Sequence, residues 1–463
     1  MSAPAVGFDF GTSNSAIAVV EAGSAEPRLL KLDPARPDST LIPTLLYIER
    51  DGTAHLGQAA IKTFVQLEAG RTIIREQRAT EIEIDTVFGR EMVRLDVDVT
   101  QPGRFFQSLK SFLSDKAFQG TNVFGRFYTI EELIALFLRE MRVRTEEQVG
   151  RPITRATIGR PVHWAENNPD GDALALQRMQ TALRQAGFVE FDFVPEPIAA
   201  GLHFASTLRA AQNVIVFDFG GGTLDVTIMR VGGGEREVLS TSGTPLGGNT
   251  LDEDIMDRRL LKYFGEDLRW GDQKLPMPRH ILEAIRRWYT IPMLNDARVM
   301  SFLRSLDHET DRASQRQARA LVALVRGNHG WPLYREIERA KIGLSSREKT
   351  VISFFEEAIA INEPFTRGQF EGVINARVRQ ADRCLDEALN AAGIAPGQID
   401  AVLRTAVVQH PALPEAADRQ VRGGEAAIPG CVHVGDDGAG AERGGAGGDA
   451  GGGVGAIVVS RES

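Results

Sequence analysis

Two stretches of this chain share one plan, and that plan limits what the chain folds into. "GFDFGTSNSAIAVV", residues 7–20, and "VIVFDFGGGTLDVTIM", residues 214–229, each run as an apolar strand into Asp-Phe-Gly, break on glycines and small hydroxyl residues, and resume as a second strand. Glycines inside a strand weaken it unless a turn or a close backbone approach requires them. Here Gly220, Gly221 and Gly222 let the backbone turn sharply, and successive N–H groups with the hydroxyls of Thr12, Ser13 and Thr223 suit phosphate oxygens. Asp9 and Asp218, at the strand ends, suit a hydrated Mg²⁺, which keeps several waters and takes few protein carboxylates. One Asp-x-Gly-Thr is an ordinary tight turn. Two in one chain point to a pair of hairpins clasping one polyphosphate. No Gly-x-x-x-x-Gly-Lys-Ser/Thr occurs, so a P-loop is not the source of phosphate binding.

A chain of 463 residues has room for about three average domains or two large lobes around a cleft. Its 43% hydrophobic and 25% charged residues are ordinary for a soluble globular protein, and no apolar run is long enough to span a bilayer. The N-terminus lacks a basic segment and carries Asp9 inside its apolar stretch, so it reads as a first strand rather than a signal peptide, which predicts a cytoplasmic protein. Two cysteines, Cys384 and Cys431, exclude a disulfide framework and a multi-cysteine zinc site. A net charge of -9 without a basic cluster argues against a nucleic-acid surface.

Along the chain, strands and turns fill residues 1 to about 60, and α/β alternation follows. "TIEELIALFLREM" opens with Thr129 and Glu132 in capping-box spacing and predicts a helix, while "ALALQRMQTALRQAG" predicts another closed by Gly187. From about 254 to 345 the pattern is helical and highly charged, which predicts a separate subdomain. After Thr405 the composition collapses into Gly and Ala, which predicts disorder over most of residues 420–455.

The motifs "GFDFGTSNS", "VPEPIAAGL", "VFDFGGGTLDV", "TPLGGNTLDEDI" and "EIERAKIGLSS", in that order, resemble the nucleotide-site motifs of the 70-kDa heat-shock protein (DnaK-type) ATPase domain, most closely its YegD-like branch. The resemblance covers residues 1 to about 405. It implies an α/β, actin-like ATPase fold: two RNase H-like lobes, residues 1–200 and 201–405, around a cleft for ATP or ADP with Mg²⁺, with a helical insertion in the second. It implies that Asp9 and Asp218 flank the metal, that Gly11, Thr12, Ser13 and Asn14 form the first phosphate loop, and that Gly220, Gly221, Gly222 and Thr223 form the second. Glu196 resembles the acid that reaches the metal's water shell from the lobe hinge; as a carboxylate at a helix N-terminus it would also be favoured by the dipole. Gly247 and Gly248 resemble the pair lining the ribose–phosphate side. Glu338, Lys341 and Ser345, on one helix face, resemble the adenosine-contacting set and would otherwise be a solvated charged face.

Three departures follow. In "LGQAAIKTF" Ile61 stands where the resemblance places a water-positioning lysine, with Lys62 beside it, which leaves hydrolysis open. Ile342 replaces the arginine that stacks on adenine. The tail lacks the family's Gly-Gly-Ser-x-x-Ile-Pro adenosine loop and closing segment, but codons for Val407–Pro414 and Cys431–Ala439, read one base later, can spell both in order. A frameshift near Thr405 accounts for this, leaving residues 406–463 as an aberrant tail.

The function this reading implies is an ATP-binding, chaperone-like protein without a peptide-binding domain, with weak hydrolysis, nucleotide-dependent lobe closure, and protein clients or co-chaperones as partners. A small-molecule kinase of the same superfold needs a base facing an acceptor pocket. Against it, "GGGTLDV" with Asp225 resembles the chaperone type. A nucleotide-gated scaffold that binds without turnover is the third reading. Sequencing the gene should show codons beyond Thr405 that carry both lost motifs one base out of register; codons unable to spell them contradict the frameshift.

Overall fold

The computed structural model describes residues 4–21, 23, 27–82, 91–165, 168–309, 311–405, 431–434 and 456–460. The first repeated stretch folds as an antiparallel hairpin, Ala5–Phe10 with Asn14–Val20, and Ala5–Phe10 continues the sheet by pairing parallel to Arg155–Arg160, which pairs parallel to Glu190–Pro195. Helices Ile130–Val149 and Pro169–Ala186 pack on this sheet through a core that includes Phe8, Phe10, Ile17, Leu133, Phe137 and Met179. Both predicted helix signals operate. Thr129 accepts from the Glu132 amide at 3.2 Å while the Glu132 carboxylate accepts from the Thr129 amide at 2.9 Å, and Gly187 closes the second helix at φ 98°.

The second repeated stretch heads the second sheet in the same way. Gln212–Phe219 and Leu224–Gly232 form an antiparallel hairpin, Glu235–Thr244 extends it on one side, and Ala401–Thr405 pairs parallel to Gln212–Phe219 on the other. This is the actin-like α/β arrangement the motifs imply, one hairpin-headed sheet per lobe. Ala456–Ser460 pairs antiparallel to Ala401–Thr405, and Cys431–Val434 to Ala456–Ser460, so two pieces of the Gly/Ala-rich tail lengthen this sheet. The rest of the stretch expected to be disordered lies outside the described residues. Among the described residues no helix is long and apolar enough to cross a membrane.

Helix Glu196–Thr207 leaves the last strand of the first sheet and packs Ile198, Ala200 and Phe204 on Val214, Val216, Met229 and Leu403 of the second. Its first residue therefore stands between the lobes. The charged region becomes helices Arg279–Ile285, Ala297–Glu309, Arg312–Arg326 and Gly330–Ser346. This insertion reaches back to the first lobe: Trp288 meets Phe64 and Phe105 edge-on at 5.6 and 5.1 Å. Beside it, the Gly70 amide donates to the Arg326 carbonyl at 2.8 Å, the Ile73 amide to the Asn295 carbonyl at 3.0 Å, and Arg75 pairs with Asp296 at 3.0 Å. Edge-to-face aromatic pairs add about 0.5–1.5 kcal/mol each beyond area burial. Trp288→Ala should therefore lower the melting temperature by roughly 2–4 °C. An unchanged midpoint in a thermal scan would show that the seam does not hold the lobes together.

Candidate active site

The two turns meet. In the first hairpin Phe10 pairs with Ser15, which leaves Gly11–Asn14 as the loop. The Thr44 amide donates to the Ser13 carbonyl at 2.8 Å, and the Thr44 and Ser15 hydroxyls bond at 2.8 Å, so a neighbouring segment braces it. In the second, Phe219 pairs with Leu224 and the Gly220 amide closes the turn on the Thr223 carbonyl at 2.8 Å. A Cβ on Gly221 would overlap Ser13 Oγ and Cβ, and one on Gly222 would lie 3.2 Å from Thr12 Cγ2, so the loops of the two lobes touch, most closely where Gly221 leaves no room for a side chain. The start of helix Gly248–Ile255 docks on the second loop: the Gly248 amide donates to the Gly220 carbonyl at 3.0 Å and the Asn249 amide to Gly221 at 2.9 Å. A Cβ on Gly247 would overlap the backbone between Gly221 and Gly222. Among the described residues Ser13 Oγ is buried without a hydrogen-bond partner.

Beneath the loops the fold crowds carboxylates. Asp9 sits one residue before the end of its strand, and Asp218 lies directly opposite Asp225 in the second hairpin. Glu196 opens its helix between them, and its carboxylate holds the Lys110 ammonium at 2.7 Å. Burial, then the Glu196 charge, pushes Asp9 up to about 6, although Lys110 pulls it down. Burial, then Glu196, Asp225 and Asp9, pushes Asp218 up to about 8 against a hydrogen bond from Thr405. Burial works against the charged Lys110, but Glu196 and Asp9 outweigh it and hold its amine above the usual range. A small cavity of about 20 Å³, lined by Pro161, His163, Glu196, Asp218, Asp225 and Thr241, has room for one water. Among the described residues no three His, Cys, Asp or Glu side chains converge to hold a bare ion. Asp9 and Asp218, one from each lobe, suit a cation that keeps its waters.

Lys110 was not foreseen from the sequence. Ile61, aligned with the expected lysine, is 1% exposed on the buried face of helix Gln58–Glu68, and Lys62 faces solvent. The ammonium comes instead from the short turn Leu109–Phe112, which Ser108 enters with φ 53°. Its one trace in the sequence is a lysine inside the apolar run "GRFFQSLKSFL". The three residues of the expected adenosine set, Glu338, Lys341 and Ser345, lie on helix Gly330–Ser346. Lys341, 7% exposed, pairs with Asp252 at 2.7 Å and donates to the Gly248 carbonyl at 3.2 Å, joining its helix to helix Gly248–Ile255. Glu338 pairs with Arg335 at 3.0 Å, Ser345 Oγ donates to the Ile342 carbonyl of its own helix at 2.6 Å, and Ile342 is exposed.

The family model described as Hsp70 protein matches residues 5–277. The Chaperone protein DnaK of Thermus thermophilus is 28% identical over 410 residues, covering 87% of this chain and 54% of the relative, and the same protein from a second strain of that organism gives the same figures. Chaperone protein dnaK3 of Synechococcus elongatus is 30% identical over 287 residues, covering 61% of this chain and 35% of the relative. The chain spans about half the length of the DnaK relatives it matches.

The raised carboxylates give a signed expectation. Free carboxylates titrate near 4, so without a cation the folded chain holds protons on Asp9 up to about 6 and on Asp218 up to about 8 that the unfolded chain releases. Stability is therefore lost as pH rises through that window. In EDTA the melting temperature should fall more from pH 5 to pH 8 for the parent than for Asp218→Asn. Equal slopes contradict the crowding.

Proposed function

The chain belongs to the Hsp70 protein family, and from that premise we propose that it is an ATP-binding, chaperone-like protein whose two lobes close on a magnesium nucleotide and hydrolyse it slowly. The observation that carries this reading is the placement of Asp9, Lys110, Glu196, Asp218 and Asp225 directly beneath two touching glycine loops.

In this reading Gly11, Thr12, Ser13 and Asn14 from one lobe and Gly220, Gly221, Gly222 and Thr223 from the other hold the phosphates, with the Ser13 hydroxyl as a buried donor. Asp9 and Asp218 hold the water shell of the cation, and Glu196 reaches it from the lobe junction. Bound Mg²⁺ supplies the positive charge that offsets these carboxylates and the phosphates. Lys110, kept protonated by Glu196 and Asp9, orients the attacking water and steadies the charge that develops on the transferred phosphate. Glu196 and Asp225 are the carboxylates placed to accept the water's hydrogens. Gly247 and Gly248 line the ribose side, where Lys341 fixes their helix.

The nucleotide touches groups from both lobes, so its presence favours the closed state by differential contact. A kinase acting on a sugar needs a base facing an acceptor pocket, whereas the triple-glycine turn followed by Asp225 favours the chaperone reading. The partners of this reading are protein clients or co-chaperones in a cytoplasmic setting.

A single-turnover ATP assay tests the reading. Lys110→Met removes the cation while keeping a similar volume, and should lower the rate about a hundredfold or more with ADP affinity retained, the scale seen when one charge-stabilising donor is lost. A variant that turns over as fast as the parent contradicts it.

A further inference from the structure

One aromatic side chain reaches the charge cluster. The ring centroid of Trp164 lies 5.7 Å from Lys110 Nζ, inside the range in which a cation is drawn to an indole face. Lys110 has weak support from its own backbone. It stands on a four-residue 3₁₀ turn, Leu109–Phe112, entered through a left-handed serine, and its flexible four-carbon stem has to be held by what surrounds the ammonium. Glu196 holds one side at 2.7 Å.

Trp164 is itself well anchored. Its amide donates to Asp172 Oδ1 at 2.6 Å, in the first turn of helix Pro169–Ala186, and its ring packs against the core of the first lobe. Among the described residues the indole N–H is buried without an acceptor, so the ring's place is set by packing and by the cation.

We propose that Trp164 is a positioning residue whose ring face, together with the Glu196 carboxylate, fixes the Lys110 ammonium in the cleft. The carboxylate alone leaves the ammonium free to follow any of the neighbouring acids. Asp9 and Asp225 both act on it through their charge. A polarisable wall that attracts the cation without bonding it keeps the ammonium's remaining N–H groups available for a ligand.

This inference rests on the hydrolytic reading for its kinetic consequence, and a second readout frees it from that dependence. In the full chain, Trp164→Phe keeps an aromatic face and Trp164→Leu removes it. Trp164→Leu should lower the single-turnover rate about tenfold with KM and ADP affinity unchanged, while Trp164→Phe stays within about threefold of the parent, the scale of a desolvated cation–π contact. The second readout is acetylation of Lys110 by acetic anhydride in the nucleotide-free chain, measured by mass spectrometry relative to the solvent-facing Lys62. It should rise several-fold in Trp164→Leu and remain at the parent's level in Trp164→Phe.

A merely packing role would lower stability in both variants and leave the reactivity of Lys110 alike in the two. Unchanged Lys110 reactivity in Trp164→Leu, or equal loss in both variants, overturns the proposal. A parent that binds nucleotide without turnover but shows the expected reactivity pattern overturns the hydrolytic reading and leaves the positioning role standing.

Discussion

Four carboxylates, Asp9, Glu196, Asp218 and Asp225, crowd one cleft around a single ammonium, Lys110, and most of what the fold does there follows from that imbalance. Like charges in a low-dielectric site raise one another's proton affinity, and burial adds to the effect. A structure that tolerates this arrangement has either to hold protons on its acids or to take up positive charge. Asp218, pushed up to about 8, marks the point of greatest imbalance. The lobes supply the acids separately, so charge taken up between them also joins them.

Besides helix Glu196–Thr207, which packs on the second sheet, the lobes meet at two further places among the described residues. The hairpin loops touch where Gly221 faces Ser13 and Gly222 faces Thr12, and the helical insertion meets the first lobe around Trp288. Helix Gly330–Ser346 connects the two regions. It starts beside the aromatic seam, where Trp331 packs on Trp288 at 4.8 Å, and ten residues further on, about 15 Å at the α-helical rise, Lys341 ties it to Gly248 at the second loop. One helix thus runs from the cleft to the outer contact, and the proposed hinge closure would act along it.

How much of this was legible depends on whether the determinants are local. The hairpins were readable because Asp-Phe-Gly followed by glycines or hydroxyl residues carries its own turn chemistry, and the helix starting after Thr129 because its capping box is written within four residues. Glu196 was picked out by the resemblance of "VPEPIAAGL" to a family motif, and the structure places it at the start of its helix. Lys110 was not: its ammonium reaches the site through a 3₁₀ turn with a left-handed entry residue, which has no periodicity, and its partner lies 86 positions further along the chain. Ile61 attracted attention by motif spacing, yet its side chain serves the packing of a helix. Lys341 lay on the expected face, and its partner Asp252 comes from another element, which the spacing of one helix does not reveal. Sequence periodicity fixes a face and says nothing of what stands opposite.

Everything proposed for the cleft requires that the paired loops and the carboxylates beneath them form one metal-dependent nucleotide site. Calorimetric titration of the full chain with ADP, in Mg²⁺ and then in EDTA, measures that directly. Saturable one-to-one binding that needs the cation is the expected result. A folded sample that binds no ADP, or that binds it equally well in EDTA, contradicts a shared site.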